Sequence, residues 1–325
     1  MYKTRLNLLE TEYAIKKIKD FFENNLAEKL FLTRVSAPIC VTKNSGLNDN
    51  LSGVEHPVSF KKDGETLEIV QSLAKWKRQA LKDYNFKIYT GLYTDMNAIR
   101  KDEKLDYVHS IYVDQWDWEK IINKKDRNVD YLKNTVNLIF SSLKDTEKYV
   151  KGFYPDLTNS LPENITFVTA QELEDSYPDL SPKEREKEIV KKYGAVFLMN
   201  IGDKLKSGNV HDFRSPDYDD WTLNGDIIVY NKMIDNAFEL SSMGIRVDSA
   251  SLIYQLEKAN ATDRLSLPYH QAVVNNKLPY TIGGGIGQSR MCMFFLDKIH
   301  IGEVQASYWS EEERERCLKE GIKLL

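Results

Sequence analysis

Apolar residues recur at helical intervals in several stretches of the chain. Over residues 13–30, an apolar stripe that includes Ile18 and Leu26 lies opposite a face rich in lysine. The same period recurs over 72–84 and 129–150. The pattern predicts three amphipathic helices before residue 151.

Other stretches have the β-branched and aromatic content of strands. Strands are predicted over 31–39, 107–118, 195–201, 225–230 and 237–246. Pro38 cannot donate to a ladder, so the first of these lies at an edge or an end of a sheet. Alternation puts His109, Ile111, Val113, Gln115 and Asp117 on one face of the second strand, and Ala237, Glu239 and Ser241 on one face of the last.

Helix-start signals mark the middle of the chain. Thr169 precedes Glu172 by three residues, and Ser181 is followed by Pro182 at the first helical position. Asp248 is predicted to cap a further helix. A polar, acid-rich loop is expected over 202–221, and residues 280–296 are expected to run from a strand through a glycine cluster into a helix.

No repeat, linker or low-complexity block divides the sequence. We therefore expect an α+β fold in one catalytic domain over 1–325, with a mostly antiparallel central sheet flanked by helices. The apolar stretches are shorter than the roughly 20 residues that span a bilayer, and the start lacks an apolar secretory segment. These features predict a cytoplasmic protein that does not engage a membrane.

Charge and cysteine usage narrow the chemistry. The formal net charge is −4, which disfavours a large nucleic-acid footprint because that would need a basic surface. Cys40, Cys292 and Cys317 form no C-x-x-C pair. A disulfide framework or a cysteine-built zinc site is therefore not expected, and the five histidines also lack metal-ligand spacing.

The glycine cluster at 283–287 is the first candidate for chemistry. It does not fit G-x-G-x-x-G, because Gln288 stands where a glycine would be needed, and no phosphate-loop lysine follows. Glycines at alternate positions would leave a strand surface without side chains on which a planar base could lie, with Arg290 beside it. Taken alone, a tight turn with Arg290 in a surface ion pair explains the cluster better.

Two further groups of polar residues lie within or next to predicted strands. Arg100 precedes the strand that carries Gln115 and Asp117, and a guanidinium can hold a phosphate under attack. Asp226 and Glu239 are carboxylates on neighbouring predicted strands and suit a magnesium ion that bridges phosphates. Taken alone, a charged hairpin on a polar sheet face explains the first group better, and a structural ion-pair network explains the second about as well.

In this order and spacing, the three groups resemble the catalytic core of class II aminoacyl-tRNA synthetases. The first motif is similar to the stretch around Pro38, the second to Arg100-x-x-Glu103 with Gln115-x-Asp117, and the third to Gly283-x-Gly285-x-Gly287-x-x-Arg290. The stretch from Gln71 to Lys77 is similar to the substrate loop of the aspartyl branch, although Leu73 and Ala74 replace its usual Pro-Gln.

The closer resemblance is to the ammonia-dependent asparagine synthetases, bacterial aspartate–ammonia ligases. It covers nearly the whole chain, and some members have His where this chain has Gln71. The matching phrases are DNLSG at 49–53, QSLAKWKRQ at 71–79, YVDQWDWE at 112–119, SPDYDDW at 215–221, FELSSMGIR at 238–246 and TIGGGIGQSR at 281–290.

The resemblance implies that L-aspartate, ATP and ammonia are converted to L-asparagine, AMP and diphosphate through a β-aspartyl-adenylate. It implies Arg100 and Arg290 as catalytic, phosphate-binding residues, with Glu103, Gly285 and Gly287 also at the ATP. Ser72, Lys77, Gln115 and Asp117 are implied for aspartate, Asp226 and Glu239 for Mg²⁺, and Asp49 as the base that deprotonates ammonium.

The resemblance also implies a homodimer formed through the Pro38 region. No room remains for the anticodon-binding domain of the tRNA enzymes, and Tyr2 is not the cysteine that a glutamine-using synthetase needs. Free ammonia is then the expected nitrogen source, with no nucleic-acid partner. The alternative is a synthetase-like regulatory or RNA-binding module that has lost catalysis.

Overall fold

The computed structural model describes residues 2–51, 53 and 55–325. Met1, Ser52 and Val54 lie outside the described residues, so the predicted 49–53 motif is described except at Ser52. The strands are β1 (Leu32–Arg34), β2 (Cys40–Thr42), β3 (Ser59–Lys62), β4 (Glu65–Ile69), β5 (Gly91–Ile99), β6 (Tyr112–Ile121), β7 (Thr166–Thr169), β8 (Ala195–Met199), β9 (Asp219–Asn231), β10 (Asn236–Arg246) and β11 (Thr281–Gly287).

The helices are α1 (Leu8–Leu30), α2 (Ala74–Asp83), α3 (Val129–Phe153), α4 (Ala170–Ser176), α5 (Pro182–Tyr193), α6 (Ser249–Lys258), α7 (Pro268–Val274), α8 (Gln288–Phe295) and α9 (Glu311–Glu320). The predicted starts at Thr169, Ser181 and Asp248 are confirmed, because each of these side chains accepts a backbone N–H of the first helical turn. No helix among the described residues combines the length and the apolar character that crossing a bilayer requires.

The central sheet has eight strands in the order β1-β5-β6-β11-β10-β9-β8-β7. The pairs at its two ends, β1 with β5 and β7 with β8, are parallel, and the pairs between them are antiparallel. A smaller antiparallel sheet has the order β2-β4-β3. The expectation of a mostly antiparallel sheet flanked by helices is confirmed.

The two faces of the central sheet have different surroundings. Trp116 and Trp118 of β6 join the largest apolar cluster, to which α1 and α3 contribute Phe22 and Ile139 among others. Residues of β6 point alternately to opposite faces, so Gln115 and Asp117 lie on the other side of the sheet. The candidate site therefore occupies the face opposite the main core.

The structure corrects two predicted strands. The stretch predicted over 107–118 becomes a strand only at Tyr112, because Asp106 folds the preceding turn by accepting the N–H groups of Val108 and His109. The stretch over 31–39 forms only the three-residue β1, and Pro38 lies beyond it. The edge position is confirmed, since β1 is the border of the central sheet.

Strand β10 contains a register shift that the sequence pattern does not reveal. Glu239 pairs with Ile228 and Ser241 with Ile227 of β9, which leaves one extra residue between them. Asp226 therefore pairs with Ser242. The prediction that Ser241 shares the face of Glu239 is wrong, because the bulge moves that face to Ser242.

Candidate functional site

A cavity of about 320 Å³ opens on the face of β6, β10 and β11 away from the main core. Among the predicted site residues it is lined by Asp49, Ser72, Lys77, Arg100, Glu103, Gln115, Asp117, Glu239, Gly285, Gly287 and Arg290. Asp226 is the one predicted site residue outside this lining, and it lies buried nearby under Arg214. The structure thus brings residues from distant parts of the sequence into one site.

The glycines of β11 form the floor between β6 and β10. Gly285 pairs with Asp117, and Gly287 pairs with Gln115. A Cβ atom on Gly285 would come within 2.3 Å of the Gln115 Oε1 atom. Because Gly285 has no side chain, Gln115 and Asp117 can reach across the strand into the cavity. The space over the glycines is therefore narrower than the bare strand surface predicted for a planar base.

Lys77 joins helix α2 to this floor. Its ammonium group donates to the Gly284 carbonyl at 2.9 Å and pairs with Asp117 Oδ2 at 2.9 Å. Burial lowers the pKa of Lys77, against the opposing effect of Asp117. The other oxygen, Asp117 Oδ1, is buried with no hydrogen-bond partner among the described residues. A buried cation and a carboxylate with a free oxygen together fit a small zwitterion.

Arg100 and Glu103 also line the cavity. The Arg100 side chain donates to the Gln71 carbonyl at 3.4 Å, and the Glu103 N–H donates to the Arg100 carbonyl in a turn. Both residues are only partly exposed. The Arg100 guanidinium therefore faces the cavity without a carboxylate partner among the described ion pairs, which leaves it free for an anion.

Asp49 is held by the segment that precedes α2. Gln71 Nε2 donates to the Asp49 carbonyl at 2.9 Å, and Asp49 Oδ1 accepts the Leu51 N–H at 2.9 Å. The nearby Tyr218 has a pKa well above the usual range because of burial and the negative charges of Asp49 and Asp219. Gln71 thus fixes the backbone that presents Asp49.

Two carboxylates and two guanidiniums form ion pairs beside the cavity. Arg214 donates to Asp226 Oδ2, and Arg290 Nη1 lies 3.7 Å from Glu239 Oε2. Burial raises the pKa of Asp226, and the Glu239 charge adds to that rise. Burial alone would raise the pKa of Glu239, but Arg290 and Arg214 outweigh it and lower that pKa.

This carboxylate pair fits a divalent cation. Asp226 Oδ1 is buried with no hydrogen-bond partner among the described residues. The paired register brings Glu239 to the same face of the sheet as Asp226. Hard cations such as Mg²⁺ take oxygen ligands of this kind. The side-chain chemistry of Asp226 and Glu239 therefore fits such an ion.

Arg246 is a site residue that was not predicted, although it ends the FELSSMGIR stretch at 238–246. Its buried guanidinium pairs with Glu119 at 2.8 Å and also binds Asp219, and it lines the cavity beside Tyr218. The Arg214 side chain was missed as well. It lies in the irregular segment 200–218 between β8 and β9, where no periodicity indicates which side chains turn inward.

Asp217 anchors this segment from outside the cavity. Its carboxylate accepts from Ser215, His270 and Lys75 at 2.8, 2.8 and 3.0 Å, and Arg264 lies at 3.2 Å. Burial opposes ionisation, but the charge of Lys75, the hydrogen bond from His270 and the charge of Arg264 hold the pKa of Asp217 well below its usual range. Lys75 belongs to α2, as Lys77 does, so Asp217 joins the segment to the helix that carries a predicted substrate residue.

A second cluster, His300 with Glu313 and Cys317, contains side chains of the kinds that bind metal ions. The protonation of His300, however, does not suit metal binding. His300 Nε2 lies 2.9 Å from Glu313 Oε1, and Cys317 Sγ lies 3.9 Å from the same oxygen. The Gly302 N–H donates to His300 Nδ1 at 2.9 Å. The ring proton is therefore on Nε2, where it donates to Glu313, and that nitrogen has no lone pair for a metal.

Comparison with solved structures identifies the class of fold. The asparaginyl-tRNA synthetase from Pyrococcus horikoshii, in a complex with asparaginyl-adenylate, is 14% identical with a TM-score of 0.66, and the match covers 91% of this chain and 68% of that one. The enzyme from Entamoeba histolytica, also bound to asparaginyl-adenylate, is 13% identical with a TM-score of 0.64, over 93% and 68% of the two chains. The fold is therefore that of the class II aminoacyl-tRNA synthetases.

Sequence comparison identifies the family within this class. The family model described as aspartate-ammonia ligase matches residues 9–321. Relatives named aspartate–ammonia ligase include one from Fusobacterium nucleatum, 63% identical over 100% of this chain and 99% of its own, and one from Clostridium perfringens strain SM101, 61% identical over 100% and 97%. The chain belongs to the aspartate–ammonia ligase family, an ATP-using family that synthesises asparagine.

Proposed function

We propose that the chain makes L-asparagine from L-aspartate, ammonia and ATP through a β-aspartyl-adenylate, with AMP and diphosphate as the other products. Membership of the family supports the overall reaction. One observation supports this route in particular: the Lys77–Asp117 pair and the Arg100 and Arg290 guanidiniums line a single cavity. This arrangement suits an amino acid and a nucleotide phosphate side by side.

The adenylate solves a chemical problem. A carboxylate resists attack by ammonia because its leaving group would be oxide, whereas a mixed anhydride with AMP loses a stabilised phosphate. In the first stage a β-carboxylate oxygen of aspartate attacks the α-phosphorus of ATP, and the bond to diphosphate breaks. Arg100 is placed to bind the developing negative charge, since its guanidinium faces the cavity with no carboxylate partner among the described ion pairs.

The buried pair on the floor is the proposed aspartate site. Lys77 supplies a cation for a carboxylate, and Asp117 Oδ1 supplies an acceptor for the ammonium group. Gln115, held beside Gly285 and Gly287, and Ser72 at the start of α2 complete the polar lining. Both charged groups are desolvated, so they favour a ligand that pairs with each of them.

The second stage needs neutral ammonia. We assign Asp49 as the carboxylate that attracts ammonium and accepts its proton, because Asp49 is fixed at the cavity wall by Gln71 and Leu51. The nitrogen lone pair then attacks the β-carbonyl carbon, and the bond to AMP breaks. A second proton passes from the attacking nitrogen to water as the amide forms.

Asp226 and Glu239 are the proposed ligands of Mg²⁺, with Glu103 and Arg290 beside the nucleotide. A bound Mg²⁺ would neutralise phosphate charge and assist departure of diphosphate.

We also propose a cytoplasmic homodimer formed through the edge of the sheet at β1. The exposed side chains of Phe31 and Ile39 flank that edge and support this contact.

Product stoichiometry tests the proposal. With aspartate, ATP, Mg²⁺ and ammonium, the purified protein should release AMP and diphosphate in equal amounts to asparagine. Omission of ammonium should leave aspartate-dependent exchange of labelled diphosphate into ATP. Release of ADP, or a requirement for tRNA in the exchange, would contradict the adenylate route.

A further inference from the structure

The segment 200–218 places one cation directly on a predicted metal ligand. The Arg214 guanidinium donates to Asp226 Oδ2, and its other terminal nitrogen lies 4.0 Å from Asp212 Oδ2. Arg214 is 17% exposed at its side chain, whereas the neighbouring Phe213 is 70% exposed. The chain therefore turns Arg214 inward and leaves the adjacent aromatic ring in solvent.

Charge balance explains why the inward position is favourable. Asp226 and Glu239 lie on one face of neighbouring strands, and each carboxylate is paired with one guanidinium, from Arg214 and Arg290 respectively. Without these cations, the buried Asp226 carboxylate would be left beside the partly exposed carboxylate of Glu239. Arg214 thus supplies to Asp226 the positive charge that a bound metal ion would otherwise supply.

In the same arrangement, Arg214 would repel a divalent cation bound to Asp226. A metal ion on Asp226 would lie next to a guanidinium of the same sign in a water-poor pocket. A guanidinium is planar and always protonated, and it binds phosphate through paired donors. Because Arg214 lines the cavity together with Arg100 and Arg290, a triphosphate there offers it a new partner.

The anchor at Asp217 limits how far the arginine can travel. Asp217 is three residues beyond Arg214 and is fixed by Lys75 and His270. The stretch on the other side of Arg214 contains Gly208 in a left-handed conformation and the exposed Phe213. A side-chain swing of Arg214 therefore needs no release of the Asp217 anchor.

We propose that Arg214 occupies the cation site on Asp226 while the enzyme is empty, and that it moves to the triphosphate when Mg²⁺ and ATP bind. This inference deepens the proposed function and depends on its assignment of Asp226 as a metal ligand. It makes Arg214 a competitor of the free metal ion and a ligand of the nucleotide.

Binding of Mn²⁺ without nucleotide tests the first half, with the free ion measured by electron paramagnetic resonance. The Arg214→Gln variant should bind Mn²⁺ at least tenfold more tightly than the unaltered protein. The control Lys206→Ala removes a cation from the same segment, where it pairs with the exposed Asp175 at 2.9 Å, and should leave the affinity unchanged. Equal Mn²⁺ affinities in Arg214→Gln and the unaltered protein would overturn the proposal.

Binding of ATP at saturating Mg²⁺ and without aspartate tests the second half by calorimetry. Arg214→Gln should weaken this binding about tenfold, whereas Arg214→Lys, which keeps the charge, should bind ATP better than Arg214→Gln and Mn²⁺ less tightly. Unchanged ATP affinity in Arg214→Gln would overturn the phosphate role. Neither measurement involves aspartate or turnover, so failure here with correct product stoichiometry rejects the Arg214 inference alone.

Discussion

The carboxylate of Asp114 accepts the backbone N–H and the hydroxyl of Ser289, at 3.1 and 2.8 Å. Ser289 is the second residue of α8 and precedes Arg290. Lys19 of α1 and Gln305 approach the same carboxylate to 3.2 Å. Asp114 therefore joins the strand that carries Gln115 to the helix turn that carries Arg290, at the wall of the cavity.

Replacement of Asp114 should disturb nucleotide binding through Arg290. Asp114→Asn is expected to lower the free energy of unfolding by about 1–3 kcal/mol, because buried donors lose their acceptor. It should also raise the KM for ATP several-fold, with a smaller effect on the KM for aspartate. Steady-state kinetics and denaturant unfolding measure these changes, with Asp20→Asn, an exposed paired carboxylate of α1, as the control. Equal increases in both KM values would argue against an effect through Arg290.

The Asp217 anchor predicts a larger loss of stability. Asp217→Asn leaves the buried Lys75 ammonium without its counter-charge and should cost about 3–5 kcal/mol. Because the folded state holds the pKa of Asp217 well below 3.8, this contribution is present at neutral pH and disappears as the pH falls through the lowered value.

Urea unfolding of both proteins at several pH values measures this effect. The matched variant Asp175→Asn removes an exposed carboxylate that pairs with Lys206, and should change stability little. A loss at neutral pH no greater than that of the Asp175 variant would refute the anchor.

Arg100 can be tested separately from folding. Arg100→Ala should abolish exchange of diphosphate into ATP and leave the thermal midpoint nearly unchanged, since its only described side-chain bonds are long contacts to the Gln71 carbonyl. Normal exchange in this variant would exclude a phosphate role.

Asp49 should affect only the second stage. Asp49→Asn is expected to retain diphosphate exchange and to reduce asparagine formation by about 10²-fold or more, in the range of general-base contributions. Single-turnover measurement of adenylate and asparagine separates the stages. Parallel loss of exchange and asparagine formation would contradict a base that acts on ammonia.

The lowered pKa of Lys77 predicts a pH dependence for aspartate. Aspartate binding needs the charged ammonium, so the KM for aspartate should rise as the pH passes the folded pKa, which lies below the ordinary 10.5. The KM for ATP over the same range is the internal control. A KM for aspartate that stays flat to pH 10.5 would exclude a lowered pKa at this site.

Much of the fold could be predicted from local pattern. The stripe on α1 and the caps at Thr169, Ser181 and Asp248 depend on neighbouring residues alone, and the structure confirms them. The start of β6 could not be predicted, because Asp106 ends the alternation with a side-chain bond to the backbone. The single-domain organisation over 1–325 stays a prediction.

The candidate site shows the same division. The motif resemblance brought together residues that line one cavity, although their roles stay predictions. The bulge in β10 could not be predicted from the sequence, because a register shift depends on pairing with β9. Arg214 escaped notice because an irregular segment has no period, and only its contact with Asp226 distinguishes it from a surface arginine.

Helix α2 carries two buried lysines whose counter-ions come from different parts of the chain. Lys75 depends on Asp217 from segment 200–218, and Lys77 depends on Asp117 from β6. During folding, α2 cannot settle onto the sheet ahead of that segment without stranding an ammonium group in a dry setting. We therefore expect docking of α2 on the sheet to be coupled energetically to the ordering of segment 200–218.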